Sequence, residues 1–484
     1  HNHDGFMDDP EMFQVNVANR WLYYGPTGVQ VRFGLRALQD MRKGGQSGYD
    51  HKKYTLSSTS PWGSDIVNRQ LNTYVKVGVP ISADNAKNIA FVADYTLTDM
   101  KLRAGASKYL ATQNSGFFNV LFQDEINDSH KFTLALGGTA DWFSEDFMRK
   151  VAAQKLDPGN TSKAFYNAGI SGEYTFHAGE KFSSILGFRG DWFNGEGFKA
   201  VPRLTLKYSP LEQIVLRANG GRGLRRALPV IDNIGVLSTG KAFTGAYSDH
   251  LLEDAWTFGG NATFYLPFGA SDDTYLSFDY FGTRFAEQMV VDYEHGLNAI
   301  EFYALGGKRS YSNNYQVDFN VEAFRRFTVS ATFRYTDAMV ELEGRGLVER
   351  PMTSRYKGVL NLQYATNLNK WIFDFTASVN GKSRVYEFMR GLRGEDGELL
   401  YKDGYTPVYP LLYLQVTKRF KGVDLYLGAE NLTNFRQKNL VIGTAIEGMS
   451  GHVDASRPDF DASAVWGPIM GTKFYLGARF TLWK

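Results

Sequence analysis

Tyr315-Gln316-Val317-Asp318-Phe319-Asn320-Val321-Glu322 places an apolar side chain at every odd position and a polar or charged one at every even position. Residues 327–335, 371–380 and 473–482 repeat this period of two. Because successive side chains of a β-strand point to opposite faces, the pattern predicts strands with one apolar and one polar face. Alternation of this kind fits a soluble sandwich as well as a membrane barrel, so the class depends on the rest of the chain.

The composition narrows the choice of class. The chain has 484 residues, among them 50 glycines, 28 tyrosines and 36 phenylalanines, and no cysteine. Glycine suits turns, and Tyr and Phe suit a pleated surface. The net charge of +2, with both signs mixed, argues against a nucleic-acid partner. No apolar run approaches the ~20 residues of a membrane helix, and the lack of cysteine fits export through an oxidising periplasm.

The connections between the predicted strands alternate between short and long. Tight turns fall at residues 209–212 and 421–422, whereas 220–250 and 433–471 are long connections. Outer-membrane barrels have short periplasmic turns and long external loops, and a Greek-key sandwich has no reason to sort its loops in this way. The sequence therefore predicts an all-β fold, a transmembrane antiparallel up-and-down β-barrel, as one domain over residues 1–484.

About nineteen strands are predicted, whereas bacterial single-chain barrels close with an even number. With a periplasmic C-terminus, residues 1–12 would lie in an external loop, and we expect a segment upstream of them. The predicted strands are 13–24, 28–39, 65–79, 87–101, 109–126, 130–145, 161–177, 181–193, 199–208, 212–220, 251–267, 273–293, 298–325, 327–342, 353–368, 371–385, 403–420, 422–432 and 470–484.

Several segments carry a family resemblance. Gly428-Ala429-Glu430-Asn431-Leu432-Thr433-Asn434 resembles the signature that precedes the last external loop of TonB-dependent outer-membrane receptors. Residues 460–480 resemble the closing segment of such receptors from Bacteroidetes-type bacteria, and residues 217–226 and 286–292 are similar to the same group. The resemblance spans essentially the whole chain.

The resemblance implies a barrel of roughly 22 strands with a globular plug in its lumen. The plug and the first three strands would then be absent from this sequence and would belong to a separate segment. It also implies the bacterial outer membrane as location and active import of a scarce large ligand, such as a siderophore, haem, cobalamin or another metal complex. A TonB-type energy transducer, a surface lipoprotein lid, membrane lipid and lipopolysaccharide are the implied partners. A passive diffusion porin and a surface adhesion protein are the alternative functions.

The sequence contains no catalytic constellation and indicates no cofactor, so we do not expect an enzyme. Arg222, Arg225 and Arg226 form a basic group at the start of a long loop, and guanidinium groups bind carboxylates or phosphates bidentately. They are candidate ligand-binding residues, although pairing with neighbouring acids is the commoner role. Lumen-facing polar residues are expected to line the wall, among them Asp318, Asn320, Glu322, Arg334, Asp374 and Glu430.

Aromatic and metal-binding candidates lie in the predicted loops. Tyr247, Tyr401 and Trp466 could stack on a planar ligand, although packing and girdle roles are commoner. The remaining candidates are transition-metal ligands of borderline and soft type, with a polar, turn-rich loop as the alternative interpretation. These candidates are His1, His3, Asp4 and Met7.

Overall fold

The fold is known from a computed structural model of the chain. The structure describes residues 5–7, 9–56, 61–82, 86–152, 154–296, 298–394, 396–438, 440–443 and 454–481, with the backbone alone at 156–160.

The described residues are mostly in strands. A short α-helix, α1 (Pro229–Asp232), and 3-10 turns at His51–Lys53, Ile234–Ser238, Asn367–Asn369, Glu387–Met389 and Lys402–Gly404 interrupt the loops. None of the helices found among these residues has the length and apolarity to span a membrane. The strands are β1 (Glu11–Tyr24), β2 (Gln30–Gly45), β3 (Gly63–Pro80), β4 (Lys87–Ala104), β5 (Ser107–Asn127), β6 (His130–Val151), β7 (Gln154–Ala178), β8 (Phe182–Phe193), β9 (Gly197–Leu211), β10 (Ile214–Arg226), β11 (Ala242–Gly245), β12 (Leu252–Tyr265), β13 (Tyr275–Glu287), β14 (Met289–Asp292), β15 (Ala299–Ala304), β16 (Ser310–Phe324), β17 (Phe327–Leu342), β18 (Gly346–Glu349), β19 (Tyr356–Ala365), β20 (Trp371–Asn380), β21 (Tyr409–Phe420), β22 (Val423–Glu430) and β23 (Lys473–Phe480).

Twenty of these strands form one sheet in which each strand pairs antiparallel with its neighbour along the chain. β18 and β19 lie one after the other beside β17, so the described sheet has nineteen wall positions. Lys473 Nζ, at the start of β23, lies 3.4 Å from Asp9 Oδ1, just before β1, so the first and last strands approach each other. This architecture confirms the predicted all-β, antiparallel up-and-down barrel wall.

The two faces of the wall differ along every strand, and β6 shows the difference well. Trp142 is 53% exposed on the outward face, whereas Phe143, Glu145 and Arg149 on the inward face are buried. Directly paired residues of antiparallel strands share a face, so the register extends this assignment around the sheet. The polar wall residues predicted from the sequence share the inward face, as the pairing of Asp318 with Thr332 illustrates.

The outer ends of several predicted strands were wrong. Residues 145–160 were predicted as a loop, but they continue the β6–β7 hairpin through pairs up to Val151 and Gln154. The predicted strands 273–293 and 298–325 each break, because their outer parts pair in a separate three-stranded sheet of β11, β15 and β14. The last strand begins at Lys473 rather than at residue 470 and is described to Phe480, and residues 482–484 of that prediction lie outside the described residues. Alternation marks a strand but does not show which partner it pairs with.

Glycine allows tyrosine rings to lie flat on the inward wall. Gly34 pairs with Tyr74, and a Cβ at Gly34 would lie 2.2 Å from the Tyr74 ring. Gly428 and Gly477 have the same relation to Tyr475 and Tyr426, at 2.3 and 2.2 Å. A ring that covers a glycine shields the backbone of its neighbour and recovers packing that glycine alone lacks.

Gly34→Ala is expected to destabilise the barrel by about 1–3 kcal/mol, because the new methyl group overpacks the Tyr74 ring. Gly78→Ala in β3 is the matched control, since a Cβ there has no atom within 4 Å. Urea unfolding in detergent, followed by the heat-modifiable mobility of the barrel, measures both variants. Equal stability of the two variants would contradict this account of the glycine–tyrosine contact.

Candidate functional site

Four long connections from one end of the sheet pack together, and we call them the external cap. They are the described parts of residues 227–251, 288–309, 381–408 and 431–472. Within the cap, β11 pairs parallel with β15. Gly240 N donates to Phe460 O at 2.9 Å, and Ala462 N donates to Ser238 O at 3.0 Å. The first, second and fourth loops are thus joined by backbone hydrogen bonds or by apolar packing rather than projecting separately into solvent.

Arg149 fixes the cap to the wall. Its side chain extends inward from β6 and is fully buried. Nη2 donates to Thr239 O at 2.7 Å, and the guanidinium carbon lies 3.9 Å from the centroid of the Phe243 ring. A buried guanidinium needs such acceptors and an aromatic face in place of water. The first cap loop is therefore held against the inner surface of the wall.

Buried ion pairs join the second and third cap loops. Arg384 Nη1 and Nη2 donate to Glu294 Oε1 and Oε2 at 3.0 and 2.7 Å, and the two side chains are 7% and 1% exposed. Arg345, beyond β17, adds contacts to Glu294 at 3.3 Å and to Asp292 at 2.9 Å. Bidentate geometry and low exposure make the contact of Arg384 with Glu294 a strong, charge-assisted one.

A stack of aromatic rings lies beside these pairs. Tyr293 and Tyr386 stack with centroids 5.0 Å apart, and Tyr386 stacks on Phe388 at 5.4 Å. Burial raises the pKa of Tyr293 well above its ordinary value, and burial likewise raises the pKa of Asp461. Lys241 Nζ lies 4.5 Å from the Phe388 centroid. The centre of the cap is therefore a dry region in which charge is costly unless it is paired.

The three arginines proposed as ligand-binding residues all have partners within the chain. Arg222 Nε and Nη2 donate to Asp254 at 2.9 and 2.6 Å. It pairs in register with Trp256, which is 46% exposed, so it lies on the outward face near the rim. Arg225 donates hydrogen bonds to Glu253 and Asp232. Arg226 donates to Glu196 and to the backbone carbonyl of His250.

The aromatic candidates pack inside the cap. Tyr401 is 2% exposed, and its hydroxyl accepts a hydrogen bond from Trp466 Nε1 at 3.1 Å. Tyr247 packs on Phe147 with centroids 5.8 Å apart. These positions match the packing role that is commoner for such residues, and ligand stacking stays a prediction.

The predicted metal site falls mostly outside the described residues, which do not include His1, His3 and Asp4. Met7 is described, and its backbone N donates to Gly45 O at 2.8 Å. No group of three or more His, Cys, Asp or Glu side chains that could hold a metal is found among the described residues.

Sequence reasoning missed the charged residues that hold the cap, Arg149, Glu294 and Arg384. One signal was present in β6: its inward positions are polar at Thr139 and Asp141 and become apolar at Phe143. A change from polar to apolar on the inward face indicates that something packs against that part of the strand. The partners themselves lie far along the chain, where periodicity gives no information.

Below the cap, the inward face of β5 to β10 forms a recess of about 770 Å³. Its lining includes the polar side chains of Asn119, Gln123 and Asn219 and the ion pair of Glu173 with Arg203. The molecule therefore has a polar inner wall and a packed cap at one end. This combination defines the class as an outer-membrane type of β-barrel with packed loops at one end.

Comparison with known proteins agrees with that class. The family of TonB dependent receptor-like β-barrels matches residues 4–432. The chain therefore belongs to the TonB-dependent receptor β-barrel family, and it is an outer-membrane protein of Gram-negative bacteria. Curated protein sequences give no significant match.

Solved structures share the fold at low sequence identity. The siderophore receptor PirA from Acinetobacter baumannii has a TM-score of 0.64 at 12% identity, over 99% of this chain and 72% of that one. The ferric citrate transporter FecA has a TM-score of 0.59 at 12% sequence identity, over 97% of this chain and 76% of that one. The structure of the FpvAI–pyocin S2 complex has a TM-score of 0.61 at 10% sequence identity, over 89% of this chain. This chain spans 60% of the length of the chain that it matches in that complex.

Arg384→Met is expected to destabilise the cap, because it removes the bidentate partner of the buried Glu294. The loss should stay below the about 3–5 kcal/mol of a wholly unpaired buried charge, since Arg345 still contacts Glu294 at 3.3 Å. Hydrogen exchange of residues 288–309 and 381–408 measures the loss as faster exchange. Arg457→Met is the control, since Arg457 and its partner Asp459 are 48% and 53% exposed and such pairs contribute about 0–1 kcal/mol. Unchanged exchange in Arg384→Met would show that the ion pair does not hold the loops.

Proposed function

We propose that this chain is the barrel of a receptor for active import of a large, scarce metal complex, with a preference for complexes that carry negative charge. A siderophore, haem, cobalamin or another metal chelate is the ligand class, and a TonB-type transducer supplies the energy from the periplasm. The observation that carries the proposal is a group of inward-facing cations on β1 to β3, which we call the cationic patch: Arg20, Arg32, Arg36 and Lys76.

The cationic patch lacks acidic partners within the part of the chain that the structure describes. Arg32 and Lys76 pair directly in register, and Arg20 pairs with Gly34, one row away. Arg36 Nε donates to the neutral Asn16 at 3.3 Å. Like charges on directly opposed positions destabilise a sheet, so an anionic group that binds here would relieve repulsion. An anionic complex below the cap fits this requirement.

We also propose that further strands and a plug complete the receptor. β1 is exposed along its whole length, and among the described strands its partner is β2. An unpaired strand edge is not tolerated in hydrocarbon, because its N–H and C=O groups have no water to bind. A lumen-filling plug would give the TonB-type transducer a part that it can move. A surface lipoprotein over the cap stays a prediction.

The proposal predicts selective loss of anionic uptake when the patch is neutralised. Arg32→Gln/Arg36→Gln is expected to lower energy-dependent cellular uptake of iron-55 ferric citrate at least tenfold, because two cations that attract the complex are removed. Uptake of the cationic ferrioxamine B complex is the charge control. Arg69→Gln is the matched variant, since Arg69 lies on the opposite face of β3 and is exposed.

Two results would contradict the proposal. One is equal uptake of ferric citrate by the double variant and by Arg69→Gln. The other is large, steady ion conductance of the complete receptor in a planar bilayer, which is the behaviour of a passive porin.

A further inference from the structure

An apolar groove runs along the outward face of β12. Ala262 pairs in register with Leu216 of β10 and with Phe278 of β13, and Gly260, one row nearer the cap, pairs with Tyr280. The small side chains of β12 therefore lie between larger ones, and they leave a groove of about 490 Å³. Because the outward face of a membrane barrel is turned to lipid, a groove in this position suits a hydrocarbon chain.

Arg284 lies on the same outward face, towards the cap end of β13. Its guanidinium carbon is 4.6 Å from the centroid of the Tyr311 ring and 5.6 Å from that of Phe258. Nη2 donates to Asn313 Oδ1 and Nη1 donates to the carbonyl of Thr283, both at 3.1 Å. A guanidinium has five N–H donors, so three stay available, and within the described part of the chain Arg284 forms no ion pair.

The neighbours of Arg284 orient it and connect it to the groove. The hydroxyl of Tyr280 also donates to Asn313 Oδ1, at 3.0 Å, and Asn313 Nδ2 donates to Asp337 Oδ2 at 3.3 Å. The Asp337 carboxylate is thus held by an amide and not by the guanidinium. A Cβ at Gly282 would lie 2.6 Å from the Phe258 ring, so glycine lets this ring cover β13 between the groove and Arg284. An apolar surface therefore continues from the groove up to the cation.

The distance from the cation to the far end of the groove matches one leaflet. Arg284 and Phe278 are six residues apart in β13, which is roughly 20 Å along the strand. With a strand tilt of about 35–45°, the separation along the membrane normal is roughly 15 Å. The hydrocarbon core of a bilayer is about 30 Å thick, so this separation equals about half of it.

We propose that the outward face of β10 to β16 binds one phosphorylated lipid of the external leaflet. The phosphate accepts hydrogen bonds from the available donors of Arg284, since guanidinium groups bind phosphates bidentately. One acyl chain lies in the groove along Gly260 and Ala262, and it reaches Phe278. The cation meets the headgroup at the cap end of the wall, where the external leaflet has its polar surface. The site does not depend on the ligand that the receptor transports.

Native mass spectrometry of the delipidated full chain in detergent tests the phosphate contact, with lipid A as the probe. The unmodified chain is expected to bind one lipid A, and to bind it roughly tenfold more tightly than dephosphorylated lipid A, because charge-assisted hydrogen bonds are lost. Arg284→Gln is expected to weaken lipid A binding by a similar factor. Arg69→Gln is the matched control, since Arg69 is an exposed arginine on the outward face of β3.

A second pair of variants tests the groove. A Cβ at Gly260 would have Arg217 O as its neighbour at 3.8 Å, so a larger side chain fits there without a backbone clash. Gly260→Leu is expected to weaken lipid A binding roughly fivefold, because leucine occupies the space of the acyl chain. Gly116→Leu is the control, since a Cβ at this outward glycine of β5 would lie at an ordinary 3.7 Å from Ala140 O.

Four results would overturn the proposal. They are equal binding of lipid A and its dephosphorylated form, equal weakening in Arg284→Gln and Arg69→Gln, equal binding by Gly260→Leu and Gly116→Leu, and displacement of lipid A by inorganic phosphate at equal concentration. The last result would indicate a site for free phosphate instead of a lipid site. The comparison of the two lipid forms uses the unmodified chain, so it decides even if a variant does not fold.

Discussion

The structure depends on one constraint: in hydrocarbon, every backbone N–H and C=O must be bonded within the protein. A continuous antiparallel ladder meets this constraint along the wall. Because the ladder fixes register, it also fixes which side chains face lipid and which face the lumen. The alternation at Tyr315 to Glu322 is thus a consequence of backbone pairing, and so is the polar inner wall on which any transport function relies.

At the external end the constraint is relaxed, since water can bind the backbone there. The inward face of β6 then changes from Thr139 and Asp141 to Phe143 and Phe147, and it packs against the cap loops instead of lining a lumen. The loops have no common period, and they are held by individual contacts such as that of Arg149 with Thr239 O. Wall and cap therefore follow different rules within one chain.

This difference explains how much the sequence could predict. The number of wall strands, their alternating direction and the face of each side chain were predictable. A period of two is a local property of the sequence, and short turns connect strands that are neighbours in the sheet. The division of residues 273–325 into wall strands and cap strands could not be predicted, because β11 and β15 pair across more than fifty residues of sequence. The partners of Arg222 and Arg225 were missed for the same reason. A basic cluster is visible in the sequence, but whether Asp254 or Glu253 neutralises it depends on register.

Two kinds of contact hold the cap loops together, apolar packing and buried ion pairs, and they differ in the free energy needed to separate the loops. Around Phe243 and Phe302 the loops are joined by apolar contact, and separating them would expose that surface to water. Between the second and third loops the contact centres on Arg384 and Glu294, whose charges regain hydration when they separate. A buried ion pair gains little net stability over apolar packing, because burial costs both charges their water. The contact between the 288–309 loop and the 381–408 loop is therefore the one that we expect to open first. The contact of Phe302 in the 288–309 loop with Phe243 in the first loop is expected to stay closed.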